Sequence, residues 1–340
     1  MSDTAAELGA ALVAVLAGTI STAGVRAFAR RAGFLNAPNP IVPQHTRPVA
    51  YLGGVGVAAG AAAGVVAAAM LGVTRPVPGV LALGVVLFLG LGVYDDLRAL
   101  RPAHKLAFQI VAALSVGLLG LRPGVSEVPA LDVALATFVL VAGANAVNLT
   151  DVCDGLVAGL AALAFGCWGL LDPSLRAFAW SCAGACVGFL VFNRPPATIF
   201  LGDAGSQALG FALSGLVLLS VRRYGDVSVL ATGAIAGGVF LFELVFLVAV
   251  RARKGLPFWR GSPDHFSLRL QARGLTRTQT DGVAWTAGMA CAAAALRFAP
   301  AGPGERLALV ATLLIAAGFA ARAILPWEVR PAPARAEPRV

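Results

Sequence analysis

The chain has 340 residues, of which 58% are hydrophobic and only 13% are charged. A soluble domain carries about 25% charged residues, so the composition excludes an ordinary soluble enzyme and indicates a membrane protein. The net charge of +9 does not require a nucleic-acid partner, because membrane proteins concentrate basic residues in their cytoplasmic loops.

Apolar segments recur along the whole chain. A helix that crosses a bilayer needs about 20 mostly apolar residues, and we count eleven such stretches, with ten as the alternative count. They are residues 5–28, 49–73, 78–94, 104–121, 130–147, 155–171, 176–193, 204–221, 227–250, 281–298 and 306–325. We therefore predict an all-α, polytopic transmembrane helix bundle. It forms one domain over residues 1–328, followed by a flexible tail at 329–340.

The basic residues predict how this bundle is oriented. With eleven spans the loops alternate between two sets, and one set together with the tail holds 19 of the 26 Lys and Arg residues. That set should be cytoplasmic, with the N-terminus outside and the C-terminus inside. It places these polar residues on the cytoplasmic side: Asp95, Asp96, Asn148, Asp151, Asp154, Asp203, Asp264 and His265. We therefore expect the chemistry at the inner membrane surface.

The first polar motif, QHTRPVAYLGG at residues 44–54, precedes the second span. Its Arg47 suits a phosphate group through the planar guanidinium. Its His45 is either a ligand contact or an ordinary surface residue, and the sequence leaves both interpretations open.

The second motif, VYDDLRALRPAHKLAFQ at residues 93–109, contains two adjacent carboxylates, Asp95 and Asp96. Like charges repel, so one pKa should rise unless a metal ion neutralises the pair. Oxygen ligands near a phosphate substrate suggest Mg²⁺, and Lys105 is placed to meet a diphosphate. A solvated loop of mixed charge is the alternative.

The third motif, NAVNLTDVCDGL at residues 145–156, has Asn148, Asp151 and Asp154 at a spacing of three. On a helix these residues share one face, and charged residues inside a membrane usually mark a functional site. Helix capping would explain one aspartate but not the whole row.

The fourth motif, TIFLGDAGSQALGF at residues 198–211, places Asp203 between two glycines. Small neighbours allow a ligand to approach the backbone closely, and the start of a helix favours phosphate oxygens. Capping of the eighth span by Asp203 or Ser206 is the alternative.

The longest polar loop, residues 251–274, is basic and contains Asp264, His265 and Arg269. It suits either an anchor on the cytoplasmic side or a phosphate-rich substrate. Glu243 lies inside the ninth span and needs a partner, which is either structural or catalytic.

Together these stretches resemble the polyprenyl-phosphate N-acetylhexosamine-1-phosphate transferase superfamily, also called glycosyltransferase family 4. NAVNLTDVCDGL is similar to its NAxNxxDxxDGL motif, and FLGDAGSQALGF to its GDxGS motif. YDDL followed by Lys105 is similar to its DD motif, and HTRPVAYLGG to its HxxPxPxxGG entry. The resemblance extends from about residue 34 to residue 275, with the motifs in order.

The resemblance implies transfer of a sugar 1-phosphate from a UDP-sugar to polyprenyl (undecaprenyl) phosphate, with release of UMP. It also implies Mg²⁺, with Mn²⁺ as the alternative ion, a multi-pass protein of the inner (plasma) membrane, and a lipid-linked envelope glycan as product. A homodimer is left open. By position, the implied catalytic residues are Asp95, Asp96 and Asp154, and the implied metal ligands are Asp203 and Asp151. The implied substrate contacts are Arg47, Lys105, Asn148, Asp151, His265 and Arg269.

The chain departs from the family pattern in two places. It keeps His265 but has Ser267 and Leu268 where many members have histidine, and Val152 and Cys153 replace a common Gly-Leu pair. The span count and the SPDH loop look more like the GlcNAc-1-phosphate transferases than the muramoyl-pentapeptide translocase. We therefore expect GlcNAc 1-phosphate as the transferred group.

Two other functions remain as alternatives. The DVCDG segment at residues 151–155 matches the start of a CDP-alcohol phosphotransferase motif, but residues 156–171 contain no Arg or Asp to continue it. A transporter or non-catalytic lipid-binding protein would also have basic loops and buried acids. Transporters, however, place their polar groups near the membrane midplane.

Overall fold

The computed structural model describes residues 3–38, 45–73, 78–257 and 259–329, and over these residues it contains thirteen helices and one small antiparallel sheet. The helices are α1 (Asp3–Ala32), α2 (Gly53–Met70), α3 (Gly79–Arg98), α4 (Pro102–Leu118), α5 (Pro129–Thr150), α6 (Leu156–Leu171), α7 (Arg176–Asn193), α8 (Gly202–Tyr224), α9 (Ser228–Ala236), α10 (Gly238–Arg253), α11 (Phe266–Ala272), α12 (Arg277–Phe298) and α13 (Pro303–Ile324). The strands are β1 (Leu35–Asn36) and β2 (Val49–Ala50). This confirms the predicted all-α bundle. Of the predicted tail, residues 330–340 lie outside the described residues.

Every predicted span is helical, but fewer than eleven helices are long and apolar enough to cross a membrane alone. Seven of the described helices are, namely α1, α2, α3, α5, α7, α8 and α13. The pair α9 and α10 makes an eighth if it counts as one span, although its halves meet at 83°. Helices α4 and α6 are apolar but have only 17 and 16 residues, and α12 starts with the polar run RTQTD. The count of eleven is therefore not confirmed, and the orientation of the termini stays a prediction.

Helix α8 is the centre of the bundle. Over the most apolar stretch of α8, 83% of the residues are buried, whereas over the corresponding stretch of α13, at the periphery, 6% are buried. Helices α2, α3 and α5 pack directly on α8, and α1 packs on α2 and α7. Because α8 begins at Gly202, this packing places the fourth polar motif inside the bundle.

Close backbone contacts fix the first turn of α8. A Cβ atom added to Gly92 of α3 would lie closer than 3.0 Å to Asp203 O and to Ala204 Cα, and one added to Gly54 of α2 would overlap the backbone of Gly205. Glycine is therefore required at both positions so that α2 and α3 can approach α8.

The polar motifs meet at one end of the bundle. The connections from α1 to α2, α3 to α4, α5 to α6, α7 to α8 and α10 to α12 all lie at this end. Ala50 of β2 forms a parallel bridge with Ile199, and Gly54 N donates a hydrogen bond to Leu201 O at 2.8 Å. We call this end the polar end.

The Gly92 contact gives a test of the packing. Gly92→Ala should lower the free energy of unfolding by about 1–3 kcal/mol, because the extra methyl overpacks the contact between α3 and α8. Gly90→Ala, on the same helix, meets no atom within 4 Å and should be neutral or stabilising by about 0.5–1 kcal/mol. Thermal unfolding in detergent measures both. Equal behaviour of the two variants would contradict the close approach.

Candidate active site

A cavity of about 580 Å³ opens at the polar end. Seven residues that the sequence singled out line it: His45, Arg47, Asp96, Asn148, Asp151, Asp154 and Asp203. A larger groove of about 890 Å³ at the start of α12 contains none of them. The cavity therefore brings together residues of all four sequence motifs, with Asp96 as the contribution of the second motif.

Lys105 is the centre of the charged contacts beside this cavity. Its Nζ lies 2.5 Å from Asp203 Oδ2, 2.9 Å from Asp95 Oδ2 and 3.2 Å from Asn148 Oδ1. Asn148 Nδ2 in turn donates to Asp203 Oδ1 at 2.6 Å and to Ser206 Oγ at 2.8 Å. One ammonium thus neutralises one of two carboxylates, and α3, α4, α5 and α8 are joined by charge-assisted hydrogen bonds.

The two adjacent aspartates have different partners. The Asp96 carboxylate accepts hydrogen bonds from Asp203 N at 2.9 Å and Ala204 N at 3.1 Å, so it caps the start of α8. Asp95 binds Lys105 and accepts a hydrogen bond from Leu100 N at 2.7 Å. The two side chains point in different directions because successive residues of a helix do not share a face. Of the pair, Asp96 lines the cavity and Asp95 is buried behind it.

The expectation that Asn148, Asp151 and Asp154 share one helix face is wrong. Helix α5 ends at Thr150, and the chain then turns through residues 151–155 with Gly155 at φ +77. The three side chains therefore diverge within the cavity wall. The helix ends because the backbone leaves the helical region at Asp151, where ψ is 60, and Gly155 then takes the left-handed conformation that precedes α6.

The Asp151 carboxylate is the uncompensated charge of the cavity. Among the described residues no group donates a hydrogen bond to it and no cation pairs with it. Burial raises the pKa of Asp151 well above its usual range, and the negative charges of Asp203, Asp96 and Asp154 add to this. Asp151 is thus the carboxylate best placed to receive a cation or a donor from a substrate.

Asp154 joins the cavity wall to α12. Its Oδ2 atom lies 2.9 Å from Arg277 Nη1 and 3.0 Å from the amide nitrogen of Ala197. The sequence analysis missed Arg277, which also lines the cavity. It lies at the start of α12, between the polar loop at residues 251–274 and the predicted span at residues 281–298, so no sequence motif includes it.

Asn193 and Tyr51 are two further cavity residues that the sequence analysis missed. Asn193, at the end of α7, accepts from Gly155 N at 3.0 Å and donates to Ile199 O at 2.9 Å. The Tyr51 hydroxyl donates to Asp96 O at 2.6 Å. Tyr51 lies within the first motif, and its position in that motif is the only sequence feature that could have indicated a role for it in the site.

His45 is part of the cavity wall. Its ring meets Phe200 edge-on, with centroids 5.0 Å apart, and Nε2 is buried with no hydrogen-bond partner in the described part of the chain. Burial lowers the pKa of His45, which favours a neutral imidazole. Arg47 is exposed at the rim.

His265 and Arg269 do not line the cavity. His265 Nδ1 lies 2.6 Å from Glu243 Oε1, which gives Glu243 a structural partner. Arg269, only 1% exposed, binds Asp264 at 2.6 Å and donates to Leu325 O at 2.6 Å. Burial alone would raise the pKa of Asp264, but Lys254 and Arg269 outweigh it and lower that pKa. The assignment of His265 and Arg269 to substrate binding stays a prediction, and the structure gives both residues partners within the protein.

Residue Ser267, where many family members have histidine, lies beneath the cavity. It is fully buried, and its Oγ is 3.3 Å from Sγ of Cys153, a residue of the cavity wall. Gln271 of α11 also approaches that sulfur, at 3.2 Å. Helix α11 therefore supports the turn at residues 151–155 from below.

The oxygen donors of the cavity suit a hard divalent cation. Mg²⁺ is commonly held by one or two carboxylates, with water and substrate phosphates as its other ligands. Within the described ranges no three His, Cys, Asp or Glu side chains converge as a complete metal site. An ion would therefore share its coordination between Asp203 or Asp151 and a bound phosphate.

The central part of the chain is similar in sequence to a known protein family. Residues 78–221 match the family described as glycosyl transferase family 4. The chain is 38% identical over 191 residues to the phospho-N-acetylmuramoyl-pentapeptide-transferase of Geobacillus sp. (strain WCH70), which covers 50% of this chain and 57% of that protein. The chain is also 35% identical over 243 residues to the enzyme of the same name from Gloeothece citriformis (strain PCC 7424). That match covers 61% of this chain and 64% of that protein.

A third relative with the same name, from Synechococcus sp. (strain JA-2-3B'a(2-13)), is 41% identical over 161 residues, covering 43% of this chain and 45% of that protein. The chain spans about half the length of the curated relatives it matches. Because these relatives are named as muramoyl-pentapeptide transferases, the expectation of a closer likeness to GlcNAc-1-phosphate transferases is not supported. The matched region includes Asp95, Lys105, Asn148 and Asp203, and over residues 78–221 the chain is similar to glycosyl transferase family 4.

Proposed function

We propose that the protein transfers a sugar 1-phosphate from a UDP-sugar to a polyprenyl phosphate at the polar end of the bundle. The observation that carries this proposal is the meeting of Lys105, Asn148 and Asp203 beside a cavity of about 580 Å³. These residues come from three separate motifs and from three helices. The likeness to glycosyl transferase family 4 over residues 78–221 supports the same reaction.

The position of the cavity suits two substrates of opposite character. A polyprenyl phosphate keeps its chain in the membrane, whereas a UDP-sugar arrives from water. A cavity among helix ends gives both access to the same point, which a site at the midplane would not. This argues for transfer at an interface rather than for transport.

The proposed chemistry is a direct displacement at phosphorus. An oxygen of the acceptor phosphate forms a bond to the β-phosphorus of the donor. The bond from that phosphorus to the bridging oxygen breaks, and UMP leaves with the electron pair. The approach brings anion to anion, so fixed positive charge is needed where negative charge develops.

Lys105 supplies a fixed positive charge beside the cavity. Its ammonium is held by Asp95 and Asp203 and is only 16% exposed, so it is fixed before a substrate arrives. Asp96 lines the cavity whereas Asp95 is occupied by Lys105. We therefore assign assistance in deprotonating the acceptor to Asp96, and the holding of Lys105 to Asp95.

A divalent cation, Mg²⁺ or Mn²⁺, would be held by Asp203 and Asp151. When bound it would screen the donor diphosphate and stabilise the charge on the leaving UMP. Asn148 orients Asp203 through its 2.6 Å hydrogen bond. Arg47 at the rim and Arg277 in the wall provide basic groups for the remaining phosphate and nucleotide oxygens.

The first donor to test is UDP-N-acetylmuramoyl-pentapeptide, because the relatives are named for that group. Purified protein with undecaprenyl phosphate and Mg²⁺ should release UMP from this donor or from UDP-GlcNAc. Release should stop without acceptor or with excess EDTA. Enzyme-coupled detection of UMP measures it, and comparison of kcat/KM ranks the donors. Failure of release with both would favour a non-catalytic membrane protein.

Asp203→Asn should lower kcat/KM by at least about 100-fold, because it removes the charge that binds Lys105 and a metal ligand. The matched control is Asp226→Asn, which removes an exposed carboxylate near Arg306 outside the cavity. The control should keep parental activity. Comparable losses in the two variants, measured by the same UMP assay, would exclude Asp203 from the site.

A direct displacement forms no covalent phospho-enzyme. Incubation with donor labelled at the β-phosphate, in the absence of acceptor, should leave the protein unlabelled after denaturation. Stoichiometric label on Asp95, Asp96, Asp151 or Asp154, located by mass spectrometry, would instead establish a two-step route.

A further inference from the structure

A second layer of polar side chains lies one turn deeper in the bundle than the charged contacts. It consists of three amides, each next to a residue of the charged site along its own helix. They are Gln109 below Lys105 on α4, Asn145 below Asn148 on α5, and Gln207 below Asp203 on α8. Because α4 and α8 begin at the polar end and α5 ends there, all three amides lie at about the same depth in the bundle.

Hydrogen bonds connect the three amides in one direction. Asn145 Nδ2 donates to Val141 O at 2.8 Å and to Gln109 Oε1 at 2.7 Å. Gln109 Nε2 then donates to Gln207 Oε1 at 3.1 Å. Gln109 and Gln207 are fully buried, so the contacts are shielded from water and the layer links α4, α5 and α8.

The backbone bond to Val141 sets the orientation of the whole layer. It fixes the amino group of Asn145 as the donor, so Gln109 must present its oxygen to Asn145 and its nitrogen to Gln207. Gln207 Nε2 is then left with no acceptor among the described residues. A buried amide without a full set of partners is costly. An apolar layer would therefore serve stability at least as well.

We propose that the Gln109–Asn145–Gln207 layer positions the charged site. It fixes the rotation of α4, α5 and α8 about their axes, so that Lys105, Asn148 and Asp203 meet beside the cavity. This inference rests on the proposed function. None of the three amides lines the cavity, so they act through the residues one turn above them and are positioning residues.

The size of the effect follows from the geometry of the charged layer. Lys105 on α4 contacts three oxygens at once, one each from α3, α5 and α8, so a rotation of α4, α5 or α8 would lengthen at least one of these contacts. A misplacement of about 1 Å in an active site can cost about 100-fold in rate. Loss of the amide layer should therefore reduce kcat while leaving the binding of the donor largely intact.

The competing explanation is that the amides only hold the helices together, as polar residues do in other membrane bundles. The two explanations differ in how activity follows stability. If the amides only hold the helices together, a variant that regains stability also regains kcat. If it positions the site, kcat stays low in a stable protein that lacks the amides.

The test compares Gln109→Met, Gln207→Met and the double variant. Methionine is similar in length to glutamine and lacks both polar atoms. Each single change leaves a buried partner unpaired and should lower the melting temperature. The double variant removes both glutamines together with the unpaired Gln207 Nε2, while Asn145, which is only half-buried, keeps Val141 O. Its melting temperature should therefore rise above that of either single variant, towards that of the parent.

In the double variant we expect kcat for UMP release to stay about tenfold below the parent, with KM for the donor within about twofold. Ser220→Ala is the matched control, because it removes a buried hydrogen bond, 2.7 Å to Asp172, away from the cavity. That control should keep the parental kcat. Recovery of kcat together with the melting temperature in the double variant overturns the proposal.

A second measurement does not depend on catalysis. The chain has only two lysines, Lys105 and Lys254, and their side chains are 16% and 37% exposed. An amine-reactive ester should modify Lys105 more slowly than Lys254 in the parent, as measured by mass spectrometry. In the double variant the Lys105 to Lys254 ratio should rise at least threefold, because Lys105 loses its fixed partners.

The two measurements separate the two proposals. A parent protein that releases no UMP from any donor defeats the proposed function, yet the acylation ratio still shows whether the amides hold Lys105 in place. An unchanged ratio in the double variant overturns the positioning role, whatever the activity of the parent.

Discussion

The structure depends on how a few charges are accommodated at the start of α8. Asp203 begins the most deeply buried helix, and a charge in this environment is expensive unless it is paired. Lys105 provides the pairing, and Asn148 completes it. Close approach of α2 and α3, allowed by glycine at positions 54 and 92, is what brings the partners within reach. The packing and the charged site are therefore one arrangement.

The adjacent aspartates show how that arrangement avoids repulsion. The sequence alone suggests two like charges that need a metal ion. In the structure Asp96 satisfies the amides at the start of α8, where the helix dipole favours a negative group. Asp95 satisfies Lys105 instead. Each carboxylate thus has its own hydrogen-bond donors, although Asp95 shares Lys105 with Asp203, and the pair links α3 to both α4 and α8.

The sequence predicts the helices well because apolar length is a local property, and it predicts most of the cavity wall because four motifs carry its polar residues. It does not predict partners that are distant along the chain. His265 and Arg269 stay predicted substrate contacts, but their internal partners, Glu243 and Leu325 O, are visible only in the structure. Arg277 looks like a loop residue until Asp154 is seen beside it. The spacing of Asn148, Asp151 and Asp154 suggests one helix face, but a turn that ends in Gly155 separates them.

The charge balance of the cavity constrains any substrate that enters it. Asp96, Asp151 and Asp203 line it together, and Asp151 has no described cation or donor beside it. A donor diphosphate brings further negative charge, so it gains nothing by entering alone. The proposed function therefore requires positive charge to arrive with the donor, and a divalent ion between the diphosphate and Asp151 would meet that need. In this view the carboxylates select the metal complex of the nucleotide rather than the nucleotide, and Lys105 adds positive charge through its contact with Asp203.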